Sequence, residues 1–185
     1  MSINIEEQDA KSAVIHTATI VAVCYSRELI NGVGKELHDE GQITRLGIPG
    51  DHHYGETRYS STARKTLPND RPITVCGDEA ARAACERLGI PPIPVGGLGE
   101  NLHLTGAGDL GDLQEGDEIR VLSSSGEPSA IVEVSKQNDP CSNLLIYHKQ
   151  IVKELYGKRG VICTVLKEGP AHVGDKVEIV RKSSE

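Results

Sequence analysis

Short runs of apolar and β-branched residues, separated by polar turns, make up most of the chain. The longest run spans residues 13–25 and is rich in Val, Ile and Thr, a composition typical of β-strands. Shorter runs predict strands within residues 41–49, 72–76, 102–105 and 130–135. Because turn signals recur at short intervals and strands outnumber helices, the sequence predicts a mainly β fold with a few helices, closed into a β-barrel.

Two segments have the apolar periodicity of helices. Residues 78–88 place alanines on one side, with Asp78 as the N-cap and Gly89 as the stop. A second helix is predicted over residues 142–155, and Gly157 closes it.

The other segments suggest how the chain is organised. Residues 1–12 are predicted to form a flexible tail, and residues 13–182 a single domain. The polar stretch 50–69 has little periodicity, which is typical of a functional or disordered loop. A Gly-Asp pair precedes a predicted strand twice, at residues 116–117 and 174–175, which indicates two equivalent corners of a barrel.

Composition excludes several classes of partner. The 185 residues carry a formal net charge of −7 and only 3% aromatic residues, which argues against nucleic-acid binding. No apolar run is long enough to cross a membrane. The five cysteines are odd in number and include no C-x-x-C pair, so we expect a reduced, cytoplasmic protein.

One of these cysteines stands out because of its position. Cys141 follows Pro140 at the predicted start of the second helix. The unpaired N–H groups and the positive dipole end of a helix favour thiolate over thiol, and a thiolate can attack electrophiles, carry sulfur or bind soft metals. The alternative is that Cys141 is a small buried structural residue.

Two polar loops offer further candidate groups. Residues 50–55 (GDHHYG) concentrate ionisable side chains between glycines, and Arg64 lies nearby in the chain with other basic residues suited to a phosphate. The glycine-rich loop at residues 96–101 carries Glu100 and Asn101, which could bond a polar ligand. The alternatives are solvated charge for Arg64 and a tight inter-strand turn for the glycine-rich loop.

Together these features resemble the MOSC domain, a module similar to the C-terminal part of molybdenum-cofactor sulfurase. The resemblance covers nearly the whole chain. It rests on four motifs in order: GIPGDHHYG at 47–55, GLGENL at 97–102, Gly-Asp at 116–117 and Pro-Cys at 140–141. It implies a β-barrel similar to that of pyruvate kinase and a standalone domain associated with a molybdenum-pterin cofactor.

The resemblance also implies roles for individual residues. It makes Cys141 the ligand of molybdenum and a catalytic residue, together with His52. The residues that it places at the cofactor are Ser26, Lys35, Asp51, Glu100 and Asn101. Arg64 is a further candidate for the cofactor site, because its charge suits a phosphate.

Three hypotheses for the function follow. The first is a molybdenum-dependent oxidoreductase that reduces N-hydroxylated compounds, with electrons from a partner protein. The second is a sulfur carrier that accepts a persulfide on Cys141 from a cysteine desulfurase. In that case pyridoxal phosphate belongs to the partner, since this chain shows no site for it. The third is a non-catalytic module that binds an anionic ligand, with Cys141 structural.

Overall fold

The computed structural model describes residues 12–60 and 63–182. The predicted N-terminal tail therefore lies outside the described residues, except for Ser12, which begins the first strand. Among the described residues, no helix is both long enough and apolar enough to span a membrane.

The first part of the described chain contains β1 (Ser12–Cys24), β2 (Leu37–His38), β3 (Glu40–Ile43), β4 (Thr57–Ser60), β5 (Lys65–Pro68), β6 (Ile73–Gly77), α1 (Asp78–Leu88) and β7 (Leu102–Thr105). The second part contains β8 (Glu118–Leu122), β9 (Pro128–Gln137), a 3₁₀ helix (Ser142–Ile146), α2 (Ile151–Glu154), β10 (Val161–Lys167), β11 (Gly169–His172) and β12 (Lys176–Lys182). The prediction of a mainly β fold with few helices is confirmed.

Seven strands close into a barrel. They follow the order β1-β12-β8-β9-β10-β6-β7, and β7 pairs again with β1. All neighbours are antiparallel except β6 and β7. Parallel neighbours need a crossover connection, and α1 lies in the connection between them. The two predicted Gly-Asp corners precede β8 and β12, which are paired with each other.

The barrel core follows the two-residue period of its strands. Along β8, β9 and β12, every second side chain is buried among the others, as in a closed sheet with one face inward. These buried residues are Ile119, Val121, Ala130, Val132, Val134, Val177 and Ile179.

A second apolar cluster lies between the helical segments and one side of the barrel. Ala81 and Ala84 of α1 pack there with Leu98, Leu144 and Leu155. Leu144 is fully buried, and burying a leucine contributes roughly 1.5–3 kcal/mol. This cluster therefore fixes both the glycine-rich loop and the segment that follows Cys141.

The structure corrects three local predictions. Gly77, not Asp78, is the N-cap of α1, although Gly89 does end the helix in a left-handed conformation. The helix predicted over residues 142–155 is wrong as a single element, since a short 3₁₀ helix and α2 replace it. Residues 50–69 are not without regular structure, because β4 and β5 form a hairpin there.

Candidate active site

A cavity of about 140 Å³ lies beside Cys141. Its walls come from the loop before β2, the loop after β3, the start of β6, the glycine-rich loop and the segment between β9 and the 3₁₀ helix. The lining residues are Leu29, Gly32, Val33, His53, Arg71, Thr74, Gly99, Asn138, Asp139, Cys141, Asn143 and Arg159. Segments distant in sequence thus meet at one thiol.

Cys141 is the exposed member of the five cysteines, and the other four are buried. Burial raises the pKa of Cys24, Cys76 and Cys163, so these three thiols stay protonated. Cys141 is the N-cap of the 3₁₀ helix, which has only five residues, so a long helix dipole does not act on its sulfur. Its charged neighbour is Arg159, whose Nη1 lies 3.8 Å from Sγ.

Arg159 connects the thiol segment to the glycine-rich loop. Nη1 also donates to the carbonyl of Asp139 at 3.0 Å, and Nη2 donates to the carbonyl of Leu98 at 2.6 Å. The Nε atom is buried and has no hydrogen-bond partner. A buried donor without a partner costs about 1–3 kcal/mol, so a ligand that accepts from Nε would be stabilised.

Arg71 supplies a second positive charge to the cavity wall. Its guanidinium makes no hydrogen bond or ion pair with the described residues, and the side chain is half-buried. Burial, with repulsion from Arg58 and Arg159, lowers the pKa of Arg71, yet an arginine remains charged at neutral pH. Two incompletely paired guanidinium groups thus place positive charge and free N–H donors at the cavity wall, which is chemistry that suits an anion.

His53 is the histidine among the residues that line the cavity. Its backbone N–H donates to Asp51 Oδ2 at 3.2 Å, and its Nδ1 lies 3.7 Å from the same oxygen. Asp51 also accepts from Lys35 Nζ at 3.0 Å, and this ion pair is buried. The carboxylate favours protonated His53, but burial and the Lys35 charge outweigh it and lower the pKa of His53. The ring is therefore neutral at pH 7.

The described residues contain no group of three or more His, Cys, Asp or Glu side chains placed to hold a metal ion. A metal at this cavity would therefore need most of its ligands from a cofactor, with one thiolate from Cys141. This donor set differs from that of a structural zinc site, which needs four protein ligands.

Comparison with known proteins decides the family. The MOSC domain family matches residues 49–178. The chain belongs to the MOSC family. The resemblance carried by the four sequence motifs is thus confirmed, as is the barrel that it implied.

Individual MOSC relatives are moderately similar. The Bacillus subtilis protein YuaD, named for metal-sulfur cluster biosynthesis, is 29% identical over 150 residues, or 72% of this chain and 76% of its own. Its crystal structure aligns with a TM-score of 0.77 at 25% identity, over 94% of this chain and 99% of that one. YiiM from Geobacillus stearothermophilus has a TM-score of 0.63 at 23% identity, over 89% of this chain and 75% of its own.

Several predicted site residues of this MOSC domain support the cavity instead of lining it. Glu100 accepts from the N–H groups of Gly96 and Leu98, at 2.8 and 3.1 Å, and from His103 Nδ1 at 2.6 Å. Asn101 Oδ1 accepts from the Thr74 backbone and hydroxyl, both at 3.0 Å. Both side chains are buried and satisfied by protein groups, so they hold the glycine-rich loop in shape.

Other predicted residues lie away from the cavity. The Ser26 hydroxyl donates to the carbonyl of Glu28. His52 is exposed, and its Nδ1 lies 3.2 Å from the carbonyl of Arg27. Arg64 lies exposed in the turn between β4 and β5. None of the three lines the cavity.

The sequence predictions missed Arg71, Arg159 and His53. Arg71 and Arg159 precede strands and carry no motif, so no sequence signal marked them. His53 belonged to the recognised loop, but the sequence could not show which of two adjacent histidines faces inward.

Proposed function

We propose that this MOSC protein binds a molybdenum-pterin cofactor, with the Cys141 thiolate as the protein ligand of the metal. The supporting observation is a lone exposed thiol at a cavity that holds two incompletely paired arginines. A thiolate suits a soft metal, and the arginines suit an anionic group of the cofactor.

The residues present fit such a group. Arg159 Nε is a buried donor that lacks a partner, and the Arg71 guanidinium is half-buried without one among the described residues. The cavity volume of about 140 Å³ is smaller than the roughly 300–1,000 Å³ of pockets that bury a whole drug-sized ligand. The cavity therefore accommodates one end of a pterin cofactor, and the rest would extend from its mouth.

The chain's own residues bind and orient in this proposal. Cys141 anchors the ligand, while Arg71 and Arg159 neutralise its negative charge. When bound, molybdenum supplies the two-electron chemistry that removes oxygen from N-hydroxylated compounds. An electron-donor protein completes the system, because the four remaining cysteines are buried and form no cluster site.

The test is the molybdenum and pterin content of protein reconstituted anaerobically with the cofactor. We expect wild type to retain both, and Cys141→Ala and Arg71→Gln to lose most of the metal. Cys85→Ala, which removes a buried thiol from α1, is the matched control and should retain it. Absence of molybdenum from wild type would refute the proposal.

A sulfur carrier is the second candidate, favoured by the exposure of one thiol alone and by the name of YuaD. The described residues offer no ligand set for a metal-sulfur cluster, so a role in assembly would mean carrying sulfur as a persulfide on Cys141. A cysteine desulfurase with pyridoxal phosphate would supply the sulfur. Incubation with such an enzyme and cysteine should add the mass of one sulfur atom to wild type and not to Cys141→Ala.

A further inference from the structure

We propose that the cavity beside Cys141 binds thiosulfate, an oxyanion that carries a sulfane sulfur, and that Cys141 takes this sulfur from it. The inference deepens the sulfur-carrier candidate and rests on that proposed function. It names a class of small-molecule donor and assigns the recognition of that donor to Asn138, Arg71 and Arg159.

The first observation is a buried amide without a partner. Asn138 follows β9 directly, lines the cavity and is only 4% exposed, yet its side chain makes no hydrogen bond with the described residues. Its backbone N–H donates to the carbonyl of Gly160 at 2.9 Å, which fixes the position of the residue. Buried polar side chains are normally hydrogen-bonded, so an unpaired amide at a cavity indicates a ligand that accepts from its NH₂ group.

Direct contacts connect this amide to the thiol. Arg159 immediately precedes Gly160, the residue that accepts from Asn138. The guanidinium of Arg159 donates from Nη1 to the carbonyl of Asp139 at 3.0 Å, and the same Nη1 lies 3.8 Å from Cys141 Sγ. An oxyanion held by Arg159 and the amide of Asn138 is therefore bound next to the sulfur.

The charges around the cavity favour an anion. Arg159 is only 8% exposed, and the charge of Arg71, which has no partner among the described residues, lies close enough to interact with both Arg159 and Cys141. The opposing charge in the wall is the exposed carboxylate of Asp139, and His53 is neutral at pH 7. Two guanidinium groups against one solvated carboxylate leave the wall positive, and a volume of about 140 Å³ suits a small anion.

The neighbouring thiol decides which small oxyanion fits. Sulfate and phosphate could accept from the same donors, but they offer no atom that a thiolate attacks. In thiosulfate the sulfonate group is bonded directly to the sulfane sulfur, so oxygens held by Asn138 and Arg159 bring that sulfur to Cys141. A thiolate and a thiosulfate dianion repel each other, and the two guanidinium groups offset this repulsion.

The transfer step needs no external oxidant. The Cys141 thiolate attacks the sulfane sulfur, and a new S–S bond forms at Cys141 as the S–S bond of thiosulfate breaks. Sulfite leaves with the electron pair, so Cys141 holds a persulfide and the total charge is unchanged. In an assay, cyanide takes the sulfane sulfur as thiocyanate and returns the thiolate, which allows repeated turnover.

The experiment measures thiocyanate formation by the full chain at one fixed pH, with saturating cyanide and with thiosulfate well below saturation. Alkylation of the same protein by iodoacetamide, a neutral electrophile, is measured at the same pH. Both reactions use the Cys141 thiolate, so the ratio of their rates cancels any difference in thiolate fraction between variants. This ratio therefore reports recognition of the anion.

Wild type should form thiocyanate, and Cys141→Ala should not. The ratio should fall roughly tenfold or more in Asn138→Ala and in Arg71→Gln, as expected when a hydrogen bond to a charged group is lost. Arg45→Gln is the matched control, because it removes an exposed arginine outside the cavity, and it should keep the wild-type ratio. Melting temperatures verify folding, and Arg71→Gln removes a half-buried side chain without a partner, so it should fold even if Asn138→Ala does not.

The inference is overturned if wild type forms no thiocyanate that depends on Cys141, or if Asn138→Ala and Arg71→Gln both keep the wild-type ratio. Loading by a cysteine desulfurase tests the sulfur carrier separately. A chain that accepts sulfur from the desulfurase but not from thiosulfate remains a sulfur carrier without this donor. A chain that accepts sulfur from neither loses both proposals.

Discussion

Replacing Lys35 by Met tests the most deeply buried charge pair in the described structure. Lys35 Nζ lies 3.0 Å from both oxygens of Asp51, and both side chains are almost completely excluded from solvent. Removing the cation leaves a buried carboxylate whose remaining partners among the described residues are the backbone and ring of His53. Breaking one partner of a buried pair costs about 3–5 kcal/mol of unfolding free energy.

The intact Lys35–Asp51 ion pair contributes much less to the free energy of unfolding than the loss of one partner costs. Burial lowers the pKa of Lys35 even though Asp51 raises it, so desolvation offsets much of the attraction. We therefore expect the double variant Lys35→Met/Asp51→Leu to be close to wild type in stability.

Urea unfolding at pH 7 measures all three proteins, with the free energy taken by linear extrapolation. Burial raises the pKa of Asp51, but its contacts with His53 and Lys35 outweigh burial and hold the pKa well below the ordinary range. Its contribution is thus full above pH of about 4 and is lost as pH falls through the lowered value. When the pH is lowered from 7, Lys35→Met should therefore unfold at a higher pH than wild type does. A loss below about 1 kcal/mol in Lys35→Met, or a double variant as unstable as the single one, would contradict the reasoning.

Three further predictions concern other parts of the molecule. Burial alone would lower the pKa of His103, but its hydrogen bond to Glu100 outweighs burial and raises the pKa. The contribution of His103 to stability is therefore full below pH of about 6.5 and is lost as the pH rises through the raised pKa. In thermal melts, His103→Gln should remove this part of the dependence of stability on pH. Gly160→Ala should unfold the protein at room temperature or nearly so, because a Cβ would clash with the carbonyl of Val75 at a φ of +99°; circular dichroism checks this. Cys141→Ala should change the melting temperature by no more than a degree or two, since an exposed side chain contributes little packing, while abolishing fast alkylation of the folded protein by iodoacetamide.

Local sequence was sufficient for most of the secondary structure. The strand predicted at residues 13–25 is β1, and the helix at 78–88 is α1, because β-branched composition and the Gly89 stop act within a few residues. The prediction of a single second helix was wrong, because the same apolar residues also suit a 3₁₀ helix and a separate short α-helix. Both of these elements pack on the second apolar cluster. Packing against that cluster, and not periodicity, decided where each of the two elements ends.

The candidate site was predicted only in part. Cys141 was identified because a cysteine after a proline, at the start of a periodic run, is a local feature. Glu100 and Asn101 were expected to contact a ligand, but the structure uses their polar atoms inside the protein. A sequence motif indicates that a polar residue is needed at its position. It does not distinguish a residue that binds a ligand from one that fixes the shape of the neighbouring loop.

The sequence by itself determined the family, the strands and the thiol. These depend on composition, turn residues and the order of short motifs, all of which are properties of neighbours along the chain. Only the tertiary structure decided that His53 and not His52 lines the cavity, and that Arg71 and Arg159 meet at Cys141. Closure of the barrel and packing of the helices on the second apolar cluster set those positions, because they bring together segments dozens of residues apart. They also fix the conformation of loops that have no periodicity of their own.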